Sequence, residues 1–186
     1  MSRLIVVSAP SGAGKTTLCQ RLLRDFPNLT LSISATTRAP RGQEVHGREY
    51  YFLQREEFEK RITASDFAEW AKVHDHYYGT LRTTVRDNLA QGRGVLLDID
   101  VQGAASLRKA FPDRVVSIFV APPTLEVLRQ RLLARGTDDA ETIEKRMKNA
   151  EEEMLAAPLF DHVIVNDQLE RAYHELAEQV RKALHV

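Results

Sequence analysis

The chain has 186 residues, 43% of them hydrophobic, which is enough for one globular unit with a sizeable core. Its 26 Lys and Arg residues balance 26 Asp and Glu residues, so no net charge attracts it to nucleic acid or to an anionic membrane. A single cysteine, Cys19, excludes an internal disulfide, and no apolar run is long enough to cross a membrane. We therefore expect a cytoplasmic protein. We also expect Cys19 to be an ordinary buried side chain.

Residues 4–18, LIVVSAPSGAGKTTL, join an apolar β-branched run to a loop of the pattern AxxxxGKT and to the start of a helix. Glycines let the backbone N–H groups of such a loop surround a polyphosphate, and the following helix directs its positive dipole end at the anion. The lysine reaches the β and γ phosphates, and the next hydroxyl contacts Mg²⁺. We therefore predict a nucleoside triphosphate site, with Thr16 as a metal ligand, formed by Gly12, Ala13, Gly14, Lys15, Thr16 and Thr17.

The rest of the chain alternates helix-like and strand-like runs. A predicted helix at 15–25 ends before Pro27, and LTLSIS at 29–34 alternates like a strand. A mixed middle section follows, with YYFL at 50–53, a helix near 55–64 and FAEWAKV at 67–73. The regular alternation then resumes, with helices at 81–91, 102–111, 124–135, 139–156 and from Leu169 to Leu184, and strands at 94–100, 115–121 and 162–165.

This order of elements predicts an α/β fold, a parallel sheet with helices on both faces and the glycine-rich loop at the carboxyl end of the first strand. Residues 34–80 interrupt the alternation and predict an insertion over that edge of the sheet. Residues 135–146 form a polar loop and helix start, and loops that carry arginines over a phosphate site often act as lids. We expect a core of residues 1–33, 81–134 and 147–186, a subdomain at 34–80 and a lid at 135–146.

Eight segments between residues 8 and 167 carry a family resemblance: SAPSGAGKTT, TTRAPRGQEVHGREYYF, FAEWAKV, YYGT, LLDIDVQGA, RLLARGT, EKRM and VIVND. Together they closely resemble the guanylate kinase family. The resemblance implies a P-loop core with a GMP-binding insertion and a mobile lid. It also implies transfer of the γ-phosphoryl group of ATP to GMP, and to dGMP, with Mg²⁺, in a monomer or homodimer.

The insertion supplies the predicted residues of the GMP site. Arg38 and Arg41, in TTRAPR, offer two planar donor forks that suit a nucleotide monophosphate. Alternation in FAEWAKV places Glu69 among apolar residues, where an unpaired charge would be costly. The resemblance implies that Glu69 accepts hydrogen bonds from guanine N1–H and the 2-amino group, which adenine cannot supply. It further implies contacts to the GMP phosphate from Tyr50 and Tyr78 and to the base from Ser34 and Thr80.

Asp98 and Asp100 end the run VLLDID, the usual place of a carboxylate that orients Mg²⁺. Alternation places both carboxylates on one face, so the sequence leaves open which of them does more to orient Mg²⁺. The resemblance implies that both also have roles on the GMP side. Asn166 and Asp167 match the adenine-side VND motif, although DQLE at 167–170 is also a capping box with Asp167 as N-cap. The family's lid arginines correspond to Arg131, Arg135 and Arg146.

Two anionic substrates require positive groups around the transferring phosphoryl group. The predicted catalytic residues are therefore Lys15, Arg41, Arg135 and Arg146. A GMP phosphate oxygen is already a nucleophile, so we assign no general base.

Three other functions share parts of this pattern. A non-catalytic guanylate-kinase-like interaction module usually lacks an intact P-loop, whereas GAGKTT is whole here. A related kinase for a phosphorylated ribose would share the P-loop and the YYG element but would not need Glu69 or the TTRAPR arginines. A regulatory GTPase is suggested only by DVQG at 100–103 and is opposed by the absence of an NKxD motif.

Overall fold

The computed structural model describes residues 3–73, 75–136 and 138–185. Within these residues the strands are β1 (Leu4–Ser8), β2 (Leu29–Leu31), β3 (Ala35–Thr36), β4 (Tyr51–Phe52), β5 (Phe67–Val73), β6 (His76–Leu81), β7 (Gly94–Asp98), β8 (Val115–Ala121) and β9 (His162–Val165). The helices are α1 (Lys15–Asp25), α2 (Arg55–Thr63), α3 (Arg82–Ala90), α4 (Val101–Ala110), α5 (Leu125–Arg135), α6 (Ala140–Leu155) and α7 (Leu169–Leu184).

The larger sheet has five parallel strands in the order β2-β7-β1-β8-β9. Strand β1 is buried along its whole length because each of its faces is covered by helices. Ile5 packs in a cluster with Leu22 of α1 and Leu176 of α7. Leu4 packs on the opposite face with Leu107 of α4. The predicted α/β fold with a parallel sheet between helical layers is confirmed.

The smaller sheet has the order β4-β3-β6-β5 and comes entirely from residues 35–81. Strands β5 and β6 are antiparallel, and β3 joins β6 to β4. Its core is aromatic, with the Phe58 ring of α2 stacked on Phe67 at 4.3 Å between ring centroids. The mixed middle section of the sequence is therefore a separate sheet with its own core.

Two predicted strands are too long. The strand predicted at 29–34 ends at Leu31, because the chain leaves the parallel sheet there and enters the smaller sheet at Ala35. The strand predicted at 94–100 ends at Asp98, because Asp100 is the N-cap of α4 and accepts a hydrogen bond from Gly103 N. In both cases the alternation of side chains continues across a change of element.

Cys19 lies in the core beneath β1, as the sequence predicts. Burial raises the pKa of its thiol to about 12, so it has almost no thiolate near neutral pH. Across the described residues, the helices are too short or too polar to cross a membrane.

Candidate active site

The loop between β1 and α1 has the backbone of a phosphate cradle. Gly12 and Gly14 adopt φ angles of 96° and 94°, in the left-handed region that favours glycine. Helix α1 starts at Lys15, so its N-terminal amides and its positive dipole end face the loop. Glycine is required at residue 14 for a second reason, because a Cβ there would lie 2.3 Å from Asn166 Nδ2.

Asn166, which follows the edge strand β9, contacts the P-loop directly. Its Nδ2 donates a hydrogen bond of 2.7 Å to the carbonyl oxygen of Ala13, and the residue is 5% exposed. Its own carbonyl accepts a 2.9 Å hydrogen bond from Arg131 Nη2, which ties α5 to the end of β9. Asn166 therefore contacts the P-loop directly, and Arg131 in turn contacts Asn166.

Asp167 does not form the predicted capping box. In the described part of the chain, α7 begins after Gln168, whose side chain makes no capping hydrogen bond. Asp167 instead accepts from Gln168 N at 2.6 Å and pairs with Arg171 at 2.6 Å. Glu170 pairs with Arg21 of α1, so the carboxylate needed at the third helical position is already engaged elsewhere.

A cleft of about 600 Å³ opens between the P-loop, the smaller sheet and α6. It brings together residues that lie far apart in the sequence. The predicted site residues that line it are Gly12, Gly14, Lys15, Thr16, Thr17, Arg41, Tyr50, Tyr78, Asp98, Asp100, Arg135 and Arg146.

Lys15 and Asp98 form an ion pair at the floor of this cleft. Burial lowers the pKa of Lys15, but the charge and hydrogen bond of Asp98 outweigh it, so the pKa lies above its ordinary value. Lys15 is thus cationic across the physiological range. Asp100 is engaged differently, since its Oδ1 accepts a 2.9 Å hydrogen bond from Gly103 N. The two carboxylates that the sequence treats alike have different partners.

A second, smaller pocket of about 140 Å³ adjoins the cleft and shares Lys15, Tyr50, Tyr78, Asp98 and Asp100 with it. Ser34 and Glu69 line only the smaller pocket. Because the two spaces share one wall, a group bound in the smaller pocket lies next to the P-loop lysine.

Glu69 is a buried carboxylate at this pocket, with 6% of its surface exposed. Its Oε1 accepts a 2.6 Å hydrogen bond from the hydroxyl of Thr80, the residue opposite it on β6. Burial raises its pKa to about 7 against the lowering effect of Thr80, and the nearby charge of Asp100 adds to the rise. Further hydrogen-bond donors in the pocket would favour the ionised form.

The side chains of Arg38 and Arg41 differ in how accessible they are to a ligand. Arg38 is buried, pairs with Glu44 at 2.9 Å and lies 5.4 Å from the centroid of the Tyr50 ring. Burial lowers the pKa of Arg38, but Glu44 outweighs it and the pKa is raised. Arg41 reaches the cleft, and its backbone N–H donates to Glu44 at 2.8 Å. Sequence reasoning missed Glu44, which pairs with the side chain of Arg38 and accepts a hydrogen bond from the backbone of Arg41.

Arg146 connects α6 to the P-loop. Its Nη1 donates to Ser11 Oγ at 2.7 Å and its Nη2 to Asp138 at 3.0 Å. Arg135 ends α5 and lines the same cleft. Of the three predicted lid arginines, Arg135 and Arg146 line the cleft beside the phosphate-binding loop, whereas the guanidinium of Arg131 is engaged by the backbone carbonyl of Asn166.

Sequence reasoning also missed a polar row on α6 that lines the cleft: Thr142, Lys145, Asn149 and Glu153. These residues are three or four positions apart, so they share one helix face with Arg146. That spacing could have identified them once Arg146 was assigned to the site. Burial raises the pKa of Glu153 to about 7, with the charge of Lys15 opposing the rise.

The oxygen donors in the cleft suit Mg²⁺. Among the described residues, no group of three or more His, Cys, Asp or Glu side chains could hold a metal ion by itself. Mg²⁺ in nucleotide sites usually takes only one or two carboxylates, together with waters and substrate phosphates. Asp98, Asp100 and the Thr16 hydroxyl, which all line the cleft, fit that pattern.

A parallel sheet with a glycine-rich loop, a partly buried lysine and converging arginines defines a P-loop nucleotide-binding enzyme. The guanylate kinase family model matches residues 1–183. The chain is 51% identical to the guanylate kinase of Porphyromonas gingivalis, with 99% of this chain and 97% of that protein covered. It is 50% identical to the guanylate kinase of Bacteroides thetaiotaomicron, with 98% and 90% covered.

The structure is similar to the crystal structure of guanylate kinase from Anaplasma phagocytophilum, with a TM-score of 0.82 and 34% identity. That match covers 97% of this chain and 85% of the other. The chain therefore belongs to the guanylate kinase family, and the resemblance inferred from its motifs is confirmed.

Proposed function

We propose that this protein is an ATP:GMP phosphotransferase that converts ATP and GMP, or dGMP, to ADP and the guanosine diphosphate. The observation that carries this function is the shared wall of the two pockets: buried Glu69 lines the smaller pocket and Lys15 lines both. The full-length similarity to guanylate kinases supports the same conclusion. We place the enzyme in the cytoplasm, in purine nucleotide metabolism and GMP recycling, as a monomer or homodimer.

Guanine binds in the smaller pocket in this proposal. The Glu69 carboxylate accepts hydrogen bonds from N1–H and the 2-amino group, and adenine is rejected because its N1 is an acceptor and it lacks that amine. Ser34 and Thr80 lie beside the base, since Ser34 lines the pocket and Thr80 already donates to Glu69. The GMP phosphate is held by Arg38, Arg41, Tyr50 and Tyr78, with Asp98 and Asp100 between the two nucleotides.

The triphosphate lies on the P-loop, held by the backbone of residues 12–17 and by Lys15. Asn166 and Asp167 form the adenine side, and Arg131 is a further residue of the ATP site. Asp98, Asp100 and Thr16 would hold Mg²⁺, which neutralises charge on the phosphates when bound. Lys15, now paired with Asp98, transfers its contact to the β and γ phosphates when ATP is bound. Arg41, Arg135 and Arg146 complete the positive surroundings of the transferring group.

Three structural units perform this work. We assign residues 1–33, 81–134 and 147–186 to the core, residues 34–80 to the GMP-binding subdomain and residues 135–146 to a lid. The smaller sheet, with its separate aromatic core, supports the second unit. The contact of Arg146 with Ser11 supports a lid that acts over the P-loop. Closure of such a lid excludes water, which strengthens each electrostatic contact within the site.

Glu69→Gln tests guanine selection. Gln keeps the shape of the side chain but sets a donor against donors of guanine, so kcat/KM for GMP should fall by more than about tenfold. ATP affinity should be unchanged. The measurement is ADP formation with GMP, dGMP, AMP, CMP and UMP, with the exposed Glu56→Gln as a matched control. A loss smaller than about tenfold would show that Glu69 does not read the base.

The pH dependence of GMP binding provides a second test. Because the free Glu69 carboxyl has a pKa of about 7 and guanine favours its ionised form, binding below pH 7 should release a proton and weaken as the pH falls. The same raised pKa makes free-protein stability decline as the pH rises from the ordinary value of 4.5 towards 7. Calorimetric titrations in two buffers measure the proton count. Glu69→Gln retains the titration of the GMP phosphate, so an equal proton count in both proteins would contradict the assignment.

A further inference from the structure

Gly103, in the first turn of α4, lies against the carboxylate of Glu69. A Cβ built at residue 103 would be 2.6 Å from Glu69 Oε2 and 3.2 Å from its carboxyl carbon. It would also be 3.1 Å from Asp100 Oδ1, the N-cap of the same helix. Helix α4 packs against β5, which carries Glu69. Glu69 therefore occupies space that exists only because residue 103 has no side chain.

The other side of this carboxylate is already fixed. Its Oε1 accepts the 2.6 Å hydrogen bond from Thr80, a fully buried residue on β6. Thr80 is opposite Glu69 in the strand register, so the two backbones hold the pair together. The carboxylate is thus confined between a hydroxyl donor and the bare Cα of Gly103. A group added at residue 103 displaces Oε2 while Thr80 retains Oε1.

The backbone itself does not require glycine at this position. Gly103 is helical and is not among the glycines with positive φ. Glycine is among the least favourable residues in a helix, so alanine would suit α4 better on local grounds. Gly79, which also lines the pocket, differs because a Cβ there would meet the rings of Phe67 and Phe58. At residue 103 the atom that must move is the end of a side chain.

We propose that Gly103 is a positioning residue for guanine selection, because its missing side chain leaves the space in which Glu69 presents its carboxylate to the base. This inference rests on the proposed role of Glu69 in GMP recognition. Ordinary van der Waals contact requires about 3.4 Å or more, so a methyl group at residue 103 moves Oε2 by roughly 0.8 Å. Displacements of about 1 Å at a reacting or recognising group can cost up to about a hundredfold in rate.

Gly103→Ala is the direct test. We expect kcat/KM for GMP to fall by about 10- to 100-fold, the range for loss of hydrogen bonds to a charged group. The dissociation constant for ATP should stay within about twofold, and Tm should change little, because the helix preference of alanine offsets the cost of displacing the buried Glu69 carboxylate. Gln102→Ala, an exposed change in the same helical turn, is the control and should retain wild-type kinetics. A wild-type GMP value in Gly103→Ala would overturn the inference.

The Glu69→Ala background separates a displaced carboxylate from a methyl group that blocks the pocket directly. With no Glu69 carboxylate to displace, Gly103→Ala should change GMP kcat/KM by less than about twofold in that background, because the contact with Asp100 Oδ1, at 3.1 Å, requires a much smaller movement than the 2.6 Å contact with Glu69 Oε2. An equal loss in both backgrounds would overturn the inference. If Gly103→Ala alone fails to fold, recovery of folding in the double variant supports the clash with Glu69, and continued misfolding overturns it.

The same variants distinguish a failure of the proposed function from a failure of this inference. Glu69→Ala with a wild-type GMP value would contradict the role of Glu69 and, with it, the role of Gly103. A large loss in Glu69→Ala beside an unaffected Gly103→Ala would overturn the positioning role alone. Both comparisons use direct GMP titration as well as turnover, so low activity does not prevent a decision.

Discussion

Lys15→Ala is expected to lower kcat by a factor of about 10² to 10³ while the fold is retained. The lysine lies at the start of α1 in the wall shared by both pockets. In the mechanism that we propose, it contacts phosphate charge that shifts during transfer. Its present partner, Asp98, is 35% exposed at the side chain, so water can solvate that carboxylate once the lysine is removed. The measurement is kcat at saturating ATP and GMP, together with thermal unfolding.

Lys109→Ala, at an exposed position near the end of α4, controls for the loss of one positive charge. It should leave both turnover and substrate affinity unchanged. A Lys15→Ala variant that keeps more than about a tenth of the wild-type turnover would contradict the catalytic role of the lysine. Unfolding of the variant at a much lower temperature would instead indicate that the ion pair with Asp98 supports the fold.

The P-loop and the parallel sheet that carries it are predictable from the sequence, because the order and the local composition of their segments are enough to identify them. Glycine permits the left-handed φ angles that Gly12 and Gly14 adopt in the motif, and α1 starts at the lysine of the motif. The parallel sheet follows from the order of strands and helices, because parallel neighbours require crossover connections. These features need no knowledge of which side chains meet across the fold.

Contacts between distant segments are not encoded in this way. Asn166 looks like an adenine-side residue in the motif VND, yet its amide donates to Ala13, 153 positions earlier. The same contact gives Gly14 a second reason to be glycine, in addition to its φ angle. Only the assembled sheet brings the end of β9 behind the P-loop.

The capping box at 167–170 fails for a related reason. Its spacing is correct, but Glu170 pairs with Arg21 of α1, a partner that local spacing cannot reveal. Glu44 illustrates the opposite case, since it has no motif of its own and yet holds Arg38 and the backbone of Arg41. Tertiary pairing therefore overrides local preference in one case and creates a role in the other.

Arg146→Ala is expected to lower kcat by about 10² or more, with little change in the dissociation constant for GMP. The guanidinium already reaches Ser11 of the P-loop at 2.7 Å and shares the cleft with Lys15 and Arg135. If it meets the transferring phosphoryl group only when the lid closes, its loss affects the transition state rather than the bound ground state. A loss confined to the transition state lowers kcat and leaves the dissociation constant for GMP nearly unchanged.

The competing view treats Arg146 as an ordinary surface cation, and the ion pair of such a residue contributes about 0–1 kcal/mol. The 9% exposure of the Asp138 side chain that pairs with Arg146 already argues against this view. Arg129→Ala provides the matched control. Like Arg146, Arg129 pairs with a carboxylate, that of Glu144 on α6, but Arg129 is not among the described residues that line the cleft. Measuring kcat with direct GMP and ATP affinities for Arg129→Ala, Arg135→Ala and Arg146→Ala decides between the two views. Near-wild-type turnover in both cleft variants would remove the lid from the mechanism and leave charge stabilisation to Lys15, Arg41 and the metal.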